Sequence, residues 1–397
     1  MVGRGGMGPG DLLQLIRTNG PTTRGDLSER TGLGRSAVAQ RVDALLAADL
    51  VHHAGDAPST GGRPSTTLVF NPMAGLVLAA DLGATHSRVA LADLSGVPIA
   101  EVTGDIEIAR GPEPVLDWVE QRFDDLLEET GHAPSAIRAI GVGLPGPVEF
   151  AAGRPVNPPI MPGWDAFPVA ARLARRRVPV LVDNDVNIMA LGEWWTTWRT
   201  VDHLLCVKVG TGIGCGIVAR GSIYRGDQGA AGDIGHIRVD GHDDVLCECG
   251  NVGCLEAVAG GRALARRARA LGLEARDSRD IVGLVRAQNV EAIRLVREGG
   301  RILGEVLAGL VNALNPAVIV IGGDVAGAHE QLFAGAREIV YQRSTPLATH
   351  RLQIVRSSLD DRAGVRGAAV LAIERVLSPE VVDRELEGHG ARSTAAG

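Results

Sequence analysis

The sequence predicts an α/β protein with an N-terminal winged helix–turn–helix, and two features of the chain support this prediction. The first seventy residues contain three short helix patterns, then a strand, a Gly-rich loop and a second strand, which is the order of a winged helix. From Leu76 onward, strand and helix patterns alternate, which is typical of α/β layers. A third feature, a cluster of metal-ligating residues, adds a zinc knuckle to the predicted fold.

The composition excludes some classes of protein. The net charge of -7 and the pI of about 5.8 do not fit a chain that coats nucleic acid, although a small DNA-binding module remains compatible with them. Three of the five cysteines are clustered, which favours metal binding in a reducing compartment. The longest apolar run, 303–321, is interrupted by Asn312, Asn315 and Pro316, so a buried helix followed by a strand fits better than a membrane span. We therefore expect a cytoplasmic protein without membrane contact. Lys208 is the chain's only lysine, which we attribute to codon bias towards arginine.

Helical spacing predicts three helices before residue 50. A helix over 11–19 has apolar residues at helical intervals and ends at Gly20-Pro21. Thr23 and Asp26 have the spacing of a capping box that opens a second helix. After a Gly-containing turn, a third helix is predicted over 35–48.

The third helix is the predicted recognition helix. Its apolar stripe faces inward, so its N-terminal end exposes short polar side chains and arginine, which suit a DNA major groove. An arginine at the tip of the following Gly-rich loop suits a minor groove. The predicted DNA-contacting residues are Arg35, Ser36, Gln40, Arg41 and Arg63. The alternative is a three-helix adaptor without a role in DNA binding.

Glycine turns occur at three places in the α/β region. The strand–turn–strand segments 78–91 and 204–218 look alike, and a third turn, Gly322-Gly323-Asp324, follows an apolar strand. Backbone N–H groups in such turns can approach an anion. Three turns favour two lobes that close on a nucleotide, whereas ordinary hairpin turns are the alternative.

A polar stretch, Asp183-Asn184-Asp185-Val186-Asn187, directly follows the strand predicted over 178–182. Ligands of open α/β sheets bind at the carboxyl ends of the strands, so these side chains are candidates for a ligand site. The alternative is a cluster that caps a helix N-terminus. The loops 143–148 and 157–164 are further candidates, because the first is poor in side chains and the second begins with the polar Asn157.

The most informative segment is a cluster of metal ligands, which we call the knuckle. It consists of His236, Cys247, Cys249 and Cys254, which lie within nineteen residues. One His and three Cys satisfy a tetrahedral structural zinc ion. The carboxylates Asp233 and Glu256 flank the knuckle, so the metal could brace a polar site. A free thiol cluster or a disulfide is the alternative.

Together these residues resemble the ROK family, which groups bacterial sugar kinases with sugar-responsive repressors. The most specific part of the resemblance is Gly235-His236 with Cys-x-Cys-Gly-x-x-Gly-Cys and Leu255-Glu256, followed by the polar stretch and the first two glycine turns. The resemblance implies an actin-like fold, in which two ribonuclease-H-like lobes enclose a cleft. The predicted domains are a winged helix at 1–70, lobes at 71–187 and 188–378, and a flexible tail at 379–397.

The resemblance also implies a role for each matching residue. Asp185 would be the general base that takes a proton from the attacking sugar hydroxyl. His236 would bind zinc through one ring nitrogen and offer the other to the sugar. The implied zinc ligands are His236, Cys247, Cys249 and Cys254. The implied sugar-binding residues are Asn157, Asn184, Asp185, Asp233, His236 and Glu256. The implied residues of an ATP and magnesium site are Asp81, Gly83, Thr85, Thr211, Gly212, Gly322 and Gly323.

Two positions depart from the pattern of the family's kinases. Asp233 stands where they usually have Glu, and the missing methylene withdraws the carboxylate by about 1.5 Å. His86 stands where they often have Lys, so a permanent cation beside the phosphates is replaced by a group that is mostly neutral at pH 7. Both departures weaken the prediction of a kinase.

We therefore expect a sugar-responsive transcriptional regulator, most simply a repressor, that binds operator DNA through the winged helix. Its expected effector is a sugar or sugar phosphate, and its expected cofactor is a structural zinc ion. A homodimer or homotetramer is expected, because operator half-sites lie about one helical turn apart. The alternative is an ATP-dependent hexose kinase that uses Asp185 as its base.

Overall fold

The computed structural model describes residues 7–56, 66–328 and 330–395. The N-terminal region is a winged helix–turn–helix, as predicted. Its elements are α1 (Pro9–Asn19), β1 (Thr22–Thr23), α2 (Arg24–Thr31), α3 (Arg35–Ala47), β2 (Val51–Asp56) and β3 (Thr66–Phe70). The three strands form an antiparallel sheet in the order β1-β3-β2. The predicted wing-tip residue Arg63 lies outside the described residues.

The capping box at the start of α2 is confirmed. The Thr23 hydroxyl accepts a hydrogen bond from the Asp26 backbone N–H at 3.1 Å, and the Asp26 carboxylate accepts one from the Thr23 N–H at 2.9 Å. These bonds satisfy two N–H groups that the first turn of a helix otherwise leaves without partners. Gly32, in the left-handed conformation, ends the helix and begins the turn towards α3.

The first lobe follows a short connection. Its elements are β4 (Leu76–Leu82), β5 (Ser87–Asp93), β6 (Pro98–Gly104), α4 (Pro112–Thr130), β7 (Ile137–Leu144), β8 (Val148–Glu149), β9 (Arg154–Pro155), α5 (Val169–Leu173), β10 (Val180–Asn184) and α6 (Asp185–Thr197). Strand β4 is buried on both faces. Its residues Leu76 and Leu78 join the core beneath α4, and the alternate residues Val77 and Ala79 join the core on the opposite face.

The second lobe contains the remaining elements. They are β11 (His203–Val209), β12 (Ile213–Ala219), β13 (Ser222–Ile223), α7 (Leu255–Ala259), α8 (Gly261–Ala270), α9 (Ser278–Arg286), α10 (Val290–Leu314), β14 (Val318–Gly322), α11 (Glu330–Arg343), α12 (Pro346–Thr349) and β15 (Gln353–Arg356). Two further helices, α13 (Ala363–Val376) and α14 (Pro379–Ala395), follow the second lobe in the chain. The apolar run at 303–321 is thus a helix followed by a strand, as predicted. Within the described ranges, no helix is both long and apolar enough to cross a membrane.

The two lobes contain five-stranded sheets of the same topology. In the first sheet, β10, β7 and β4 are parallel, and β5 and β6 continue it in antiparallel fashion. In the second sheet, β15, β14 and β11 are parallel, and β12 and β13 are antiparallel. The two similar strand–turn–strand segments in the sequence are β4–β5 and β11–β12. This duplication is the predicted actin-like arrangement.

The C-terminal helices α13 and α14 leave the second lobe. Helix α13 packs on β4, β7 and α6 of the first lobe, and α14 packs on α1 of the winged helix. Val382 of α14 is buried, and the Asp383 carboxylate accepts a hydrogen bond from the Gly10 N–H at 2.7 Å. This packing corrects the first part of the predicted flexible tail at 379–397, because a helix begins at Pro379 and its first turns pack on α1.

One hydrophobic core joins the winged helix to the first lobe. It contains Leu12 and Ile16 of α1, Val38 of α3 and Val365 of α13, together with residues of β4 and α6. The winged helix is therefore packed against the lobe rather than suspended from a flexible linker.

Candidate functional site

The polar stretch at 183–187 lies where β10 ends and α6 begins. Asn184 is the N-cap of α6: its side-chain oxygen accepts from the Val186 N–H at 2.9 Å, and its amide donates to the Gly146 carbonyl at 2.7 Å. The capping role considered as the alternative for this stretch is therefore observed for Asn184. The second bond ties α6 to the Pro-Gly loop at 143–148, which the sequence indicated as a ligand-contacting loop.

Asp183 is held by an arginine from the second lobe. Its side chain is nearly fully buried, and one carboxylate oxygen accepts from both Nε and Nη2 of Arg225, at 2.9 and 2.7 Å. The other oxygen accepts from the side chain of Asn187 at 2.9 Å. Arg225 also lies over the ring of Phe150, 3.9 Å from its centroid. These contacts compensate the burial of the Asp183 charge and fix the end of β10.

Asp185, the candidate base, forms an ion pair with the chain's only lysine. Its Oδ2 accepts a hydrogen bond from the Lys208 ammonium at 2.7 Å, and both side chains are less than one-third exposed. Burial alone would lower the pKa of Lys208, but the carboxylates of Asp185, Asp81 and Asp324 raise it above its ordinary value. We call these three acids the aspartate cluster. Lys208 is thus a permanent cation within it.

Asp81 is the penultimate residue of β4, and the charges of Lys208 and Asp185 both act on its carboxyl group. Burial raises the pKa of its carboxyl group to about 6, and Lys208 opposes this increase. The close packing depends on Gly364 at the start of α13, where a Cβ would stand 2.0 Å from an Asp81 carboxylate oxygen.

The knuckle residues converge as a zinc site requires. The four ligand atoms of His236, Cys247, Cys249 and Cys254 all lie within 4.8 Å of one another. The Sγ atoms of Cys249 and Cys254 are 3.7 Å apart, and the Cys247 Sγ is 3.7 Å from Nδ1 of His236. A tetrahedral ion with Zn–S bonds of about 2.3 Å separates its sulfur ligands by about 3.8 Å. All five cysteines are free thiols, so the disulfide alternative is not observed. The cluster can therefore hold a zinc ion.

His236 stands between the knuckle and two carboxylates. Its Nδ1 faces Cys247 and lies 3.9 Å from Oε1 of Glu256, and its Nε2 lies 3.8 Å from Oδ1 of Asp233. This orientation assigns Nδ1 to the metal and leaves Nε2 for a ligand. Burial raises the pKa of the Cys247 thiol to about 12, and a metal ion bound here would favour the thiolate instead.

The remaining predicted sugar-site residues occupy exposed positions or neighbour the glycine turns. Asn157 is exposed, with a φ of 44°, and its backbone N–H donates to Asp165 at 2.8 Å. The Asp233 side chain is 46% exposed, so it can reorient. Glu256 faces the second glycine turn, where a Cβ on Gly212 would meet its Oε2 at 2.5 Å. The turn thus approaches the sugar-site carboxylate closely.

A hydrogen bond connects the residue that follows the first glycine turn to helix α9 of the second lobe. The Arg279 guanidinium of α9 donates to Nδ1 of His86 at 3.0 Å, and the Thr85 hydroxyl lies 3.2 Å from the same nitrogen. Burial lowers the pKa of His86, and the neighbouring Arg279 lowers it further. His86 is therefore a neutral hydrogen-bond acceptor here. Gly83 closes the turn by donating its N–H to the His86 carbonyl at 3.0 Å.

The other two glycine turns adjoin the start of α8 and α9. The Thr211 carbonyl accepts from the Arg262 N–H at 3.2 Å. Gly323 has a φ of 86° and packs on the Val209 backbone, and a Cβ on Gly322 would meet the Met189 side chain at 2.3 Å. The Asp324 carboxylate accepts from the Ser278 hydroxyl at 2.9 Å. These two turns are engaged by the protein's own groups.

The predicted recognition helix exposes most of the expected residues. Arg35, Ser36 and Gln40 are exposed on α3. Arg41 is half-buried instead: its Nε donates to the Met7 carbonyl at 2.7 Å and its Nη1 donates to the Ala37 carbonyl at 2.9 Å. Its guanidinium is thus occupied by backbone groups in this structure.

Sequence reasoning missed three residues of the site region. Lys208 was attributed to codon bias, although a lone lysine two residues before a glycine turn is a usable signal. Arg225 carried no local signal. Arg17 of α1, which contacts the end of α6, could not be paired with that helix from the sequence, because Trp195 is distant along the chain.

Known proteins place the chain in a family. A model described as ROK family matches residues 77–375, and one described as winged helix-turn-helix DNA-binding matches residues 10–52. A xylose repressor of Caldicellulosiruptor bescii is 30% identical over 386 residues, which cover 92% of this chain and 95% of the relative. The crystal structure of a ROK family transcriptional regulator, a homolog of E. coli MLC protein, has a TM-score of 0.81 and 26% identity and covers 95% of this chain and 98% of its own.

A kinase structure is similar to a smaller part of this chain. A ROK family glucokinase from Streptomyces griseus, solved in complex with glucose and AMPPNP, has a TM-score of 0.66 and 29% identity. It covers 75% of this chain and 99% of its own, whereas the regulator structure extends over nearly the whole chain. The chain belongs to the ROK family and carries an N-terminal winged helix in addition to the family's two lobes.

Proposed function

We propose that this protein is a transcriptional repressor that binds operator DNA through its winged helix and changes its DNA affinity when a sugar binds in the cleft. The observation that carries this proposal is helix α6. Its N-terminus lies in the candidate sugar site, next to Asp183 and Asn184, and its last turn contacts the DNA-binding domain. One rigid element of about 20 Å therefore connects the two sites.

The contact at the far end of α6 is made by Arg17 of α1. Its guanidinium carbon lies 5.6 Å from the ring centroids of both Trp195 and Phe70. Its Nη2 donates to Glu374 of α13 at 3.1 Å, and the arginine side chain is only 6% exposed. Arg17 is thus a positioning residue that joins the recognition domain to the sugar-site helix.

Helix α6 is also attached to the second lobe. Glu193 is completely buried, and its Oε1 accepts from the Leu359 N–H at 3.0 Å and from the Ser357 hydroxyl. Its Oε2 accepts from the Ser358 hydroxyl at 3.0 Å. A change in the angle between the lobes would therefore be transmitted to α6, and from α6 to α1.

Within this proposal, a zinc ion held by the knuckle fixes His236 so that Nε2 faces the sugar. The name of the C. bescii relative makes D-xylose the first sugar to test. Paired winged helices of a homodimer would present two recognition helices to a palindromic operator. A protein with this role acts in the cytoplasm, where the DNA is.

The direct test is a fluorescence-anisotropy titration of DNA from the protein's own upstream region. The purified protein should bind this DNA in preference to an unrelated fragment of the same length, and one sugar from a panel of pentoses and hexoses should weaken binding by roughly tenfold or more. Binding that is equal for both fragments, or unaffected by every sugar, would overturn the proposal.

A variant of Arg17 tests whether α6 transmits the effect of the sugar to the DNA-binding domain. Arg17→Met removes the guanidinium and preserves the length of the side chain, so the variant should bind both sugar and DNA but lose most of the effect of sugar on DNA affinity. Arg375→Met is the matched control, because Arg375 is exposed on the same helix as Glu374. A sugar effect of normal size in Arg17→Met would show that α6 does not transmit the signal through this contact.

An ATP-dependent hexose kinase is the second candidate, because Asp185 is present at the expected position. Its pairing with Lys208 argues against a base that is free to accept a proton. A coupled assay with ATP and a hexose panel distinguishes the two candidates: turnover that disappears in Asp185→Ala would support a kinase.

A further inference from the structure

The feature that the proposed function leaves unexplained is the position of Lys208. It is the only lysine in a chain with forty basic residues, and its ammonium reaches the carboxylate of Asp185. Codon bias explains why arginine is common but does not explain why a lysine occurs at this point.

The neighbouring strands have glycine at both positions paired with the lysine. In the second sheet, Lys208 pairs with Gly214 of β12 and with Gly322 of β14. The Cβ positions of these glycines are taken by the side chains of Val186 and Met189, which are residues of α6. Glycine therefore lets α6 pack closely on this sheet, and the ammonium of Lys208 approaches Asp185, the first residue of α6, to 2.7 Å.

The charges that act on the ammonium are those of three carboxylates. The aspartate cluster places Asp185, Asp81 and Asp324 close enough to act on Lys208. Carboxylate oxygens are the protein ligands that Mg²⁺ prefers, and phosphoryl transfer uses Mg²⁺ to neutralise the charge of the phosphates. In this chain the positive charge at Asp185 is already supplied by a side chain.

The residues present do not fit an additional Mg²⁺ ion bound to Asp185. A Mg²⁺ ion requires its oxygen ligands at about 2.1 Å in an octahedral arrangement, and it would have to displace an ammonium that carries the same sign of charge. The first glycine turn is also engaged, because His86 accepts a hydrogen bond from Arg279 across the cleft.

We propose that the Lys208 ammonium is the resident cation of this cleft, in place of a divalent metal ion, and that the site binds its sugar without Mg²⁺ or nucleotide. The part of this inference that concerns sugar binding rests on the proposed function. Asp185 then serves as an ionised hydrogen-bond acceptor for a sugar hydroxyl, with Oδ2 held by Lys208 and Oδ1 available. Lys208 is a positioning residue in this arrangement, because it acts through Asp185.

Calorimetric titration of the full-length, zinc-loaded protein with magnesium chloride tests the cation itself. The wild type should show no specific binding at millimolar Mg²⁺. Lys208→Met, which removes the charge and preserves the length, should acquire Mg²⁺ binding that is at least roughly tenfold tighter. Lys208→Arg keeps the positive charge, so it should likewise bind no Mg²⁺, although the larger guanidinium should lower its melting temperature. Thermal unfolding and zinc content verify that each variant is folded.

Either of two outcomes would overturn the inference: the wild type binds Mg²⁺ as tightly as Lys208→Met, or Lys208→Met is folded and acquires no Mg²⁺ binding. A second neutral variant, Lys208→Gln, decides the matter if the methionine variant is not folded. The titration requires neither sugar nor DNA. A failure of the repressor proposal in the anisotropy experiment is therefore distinguishable from a failure of this one.

Discussion

The knuckle and the aspartate cluster both contain side chains that can become negatively charged, but they differ in the source of the positive charge. The knuckle gathers one histidine and three cysteines whose ligand atoms lie within 4.8 Å of one another, so it can hold a metal ion. The aspartate cluster contains Lys208, which is 2.7 Å from Asp185. The comparison teaches that a cluster of thiols can be completed by a bound metal ion, whereas a carboxylate can be neutralised by a side chain of the same protein.

The largest expected effect is the loss of the knuckle metal. Metal analysis should find about one zinc ion per chain, and Cys249→Ser should lose it. Structural zinc contributes much of the folding free energy of small metal sites, so we expect a loss of roughly 5 kcal/mol and a fall in melting temperature of roughly 10 °C or more.

The matched control for the zinc variant is Glu248→Gln, which lies between two of the ligands and is exposed. It should retain zinc and melt close to the wild type, because surface ion pairs contribute little. An unchanged zinc content in Cys249→Ser would contradict the ligand assignment.

The next effect concerns an ion pair in the wall of the cleft. Arg225→Met should leave the Asp183 carboxylate, which is 2% exposed, without its cation. Removing one partner of a buried pair costs about 3 kcal/mol, so denaturant unfolding should show a loss of that order. The double variant Asp183→Asn with Arg225→Met removes both charges and should regain part of this stability. A double variant less stable than Arg225→Met alone would argue against the pairing.

A smaller effect should follow pH. The pKa of Asp81 is raised from 3.8 to about 6 by burial, so the folded protein retains a proton that the unfolded chain has already lost. The contribution of Asp81 to stability is therefore greatest below about pH 4 and falls by about 2 to 3 kcal/mol as the pH rises through 6. Asp81→Asn should lack this decrease, so it should gain stability relative to the wild type between these pH values in urea unfolding.

The pH dependence of stability should also change in Lys208→Met. Lys208 opposes the increase in the pKa of Asp81, so its removal should move the decrease in stability to higher pH. A pH dependence that is identical in the wild type, Asp81→Asn and Lys208→Met would show that Asp81 does not titrate in the folded protein within this range.

Features that depend on neighbouring residues could be predicted from the sequence. The capping box of α2 spans four residues, and the spacing of the knuckle ligands is largely local, so both were visible in one stretch of chain. The two similar strand–turn–strand segments indicated the duplicated lobes, because each is one hairpin. The apolar run at 303–321 showed its Asn and Pro interruption directly.

Contacts between distant segments could not be predicted. Lys208 and Asp185 lie on different elements, and no periodicity indicates that β11 will place an ammonium against the start of α6. Arg17 and Trp195 meet only because α13 and α14 return to the N-terminal domain. The helix at 379–395 was expected to be part of a flexible tail because the segment is rich in Glu, Gly and Ala. The helix packs against α1, and the composition of the segment does not indicate this contact with a distant part of the chain.

The measurement that tests the central claim most directly is the release of labelled upstream DNA by sugar, followed by anisotropy in buffer free of magnesium and again with Mg–ATP present. The claim is that the cleft binds its sugar with the Lys208 ammonium in place of Mg²⁺ and without a nucleotide. The expected result is the same midpoint of the sugar titration under both conditions, with DNA released in each. A sugar response that appears only with Mg–ATP would contradict the claim.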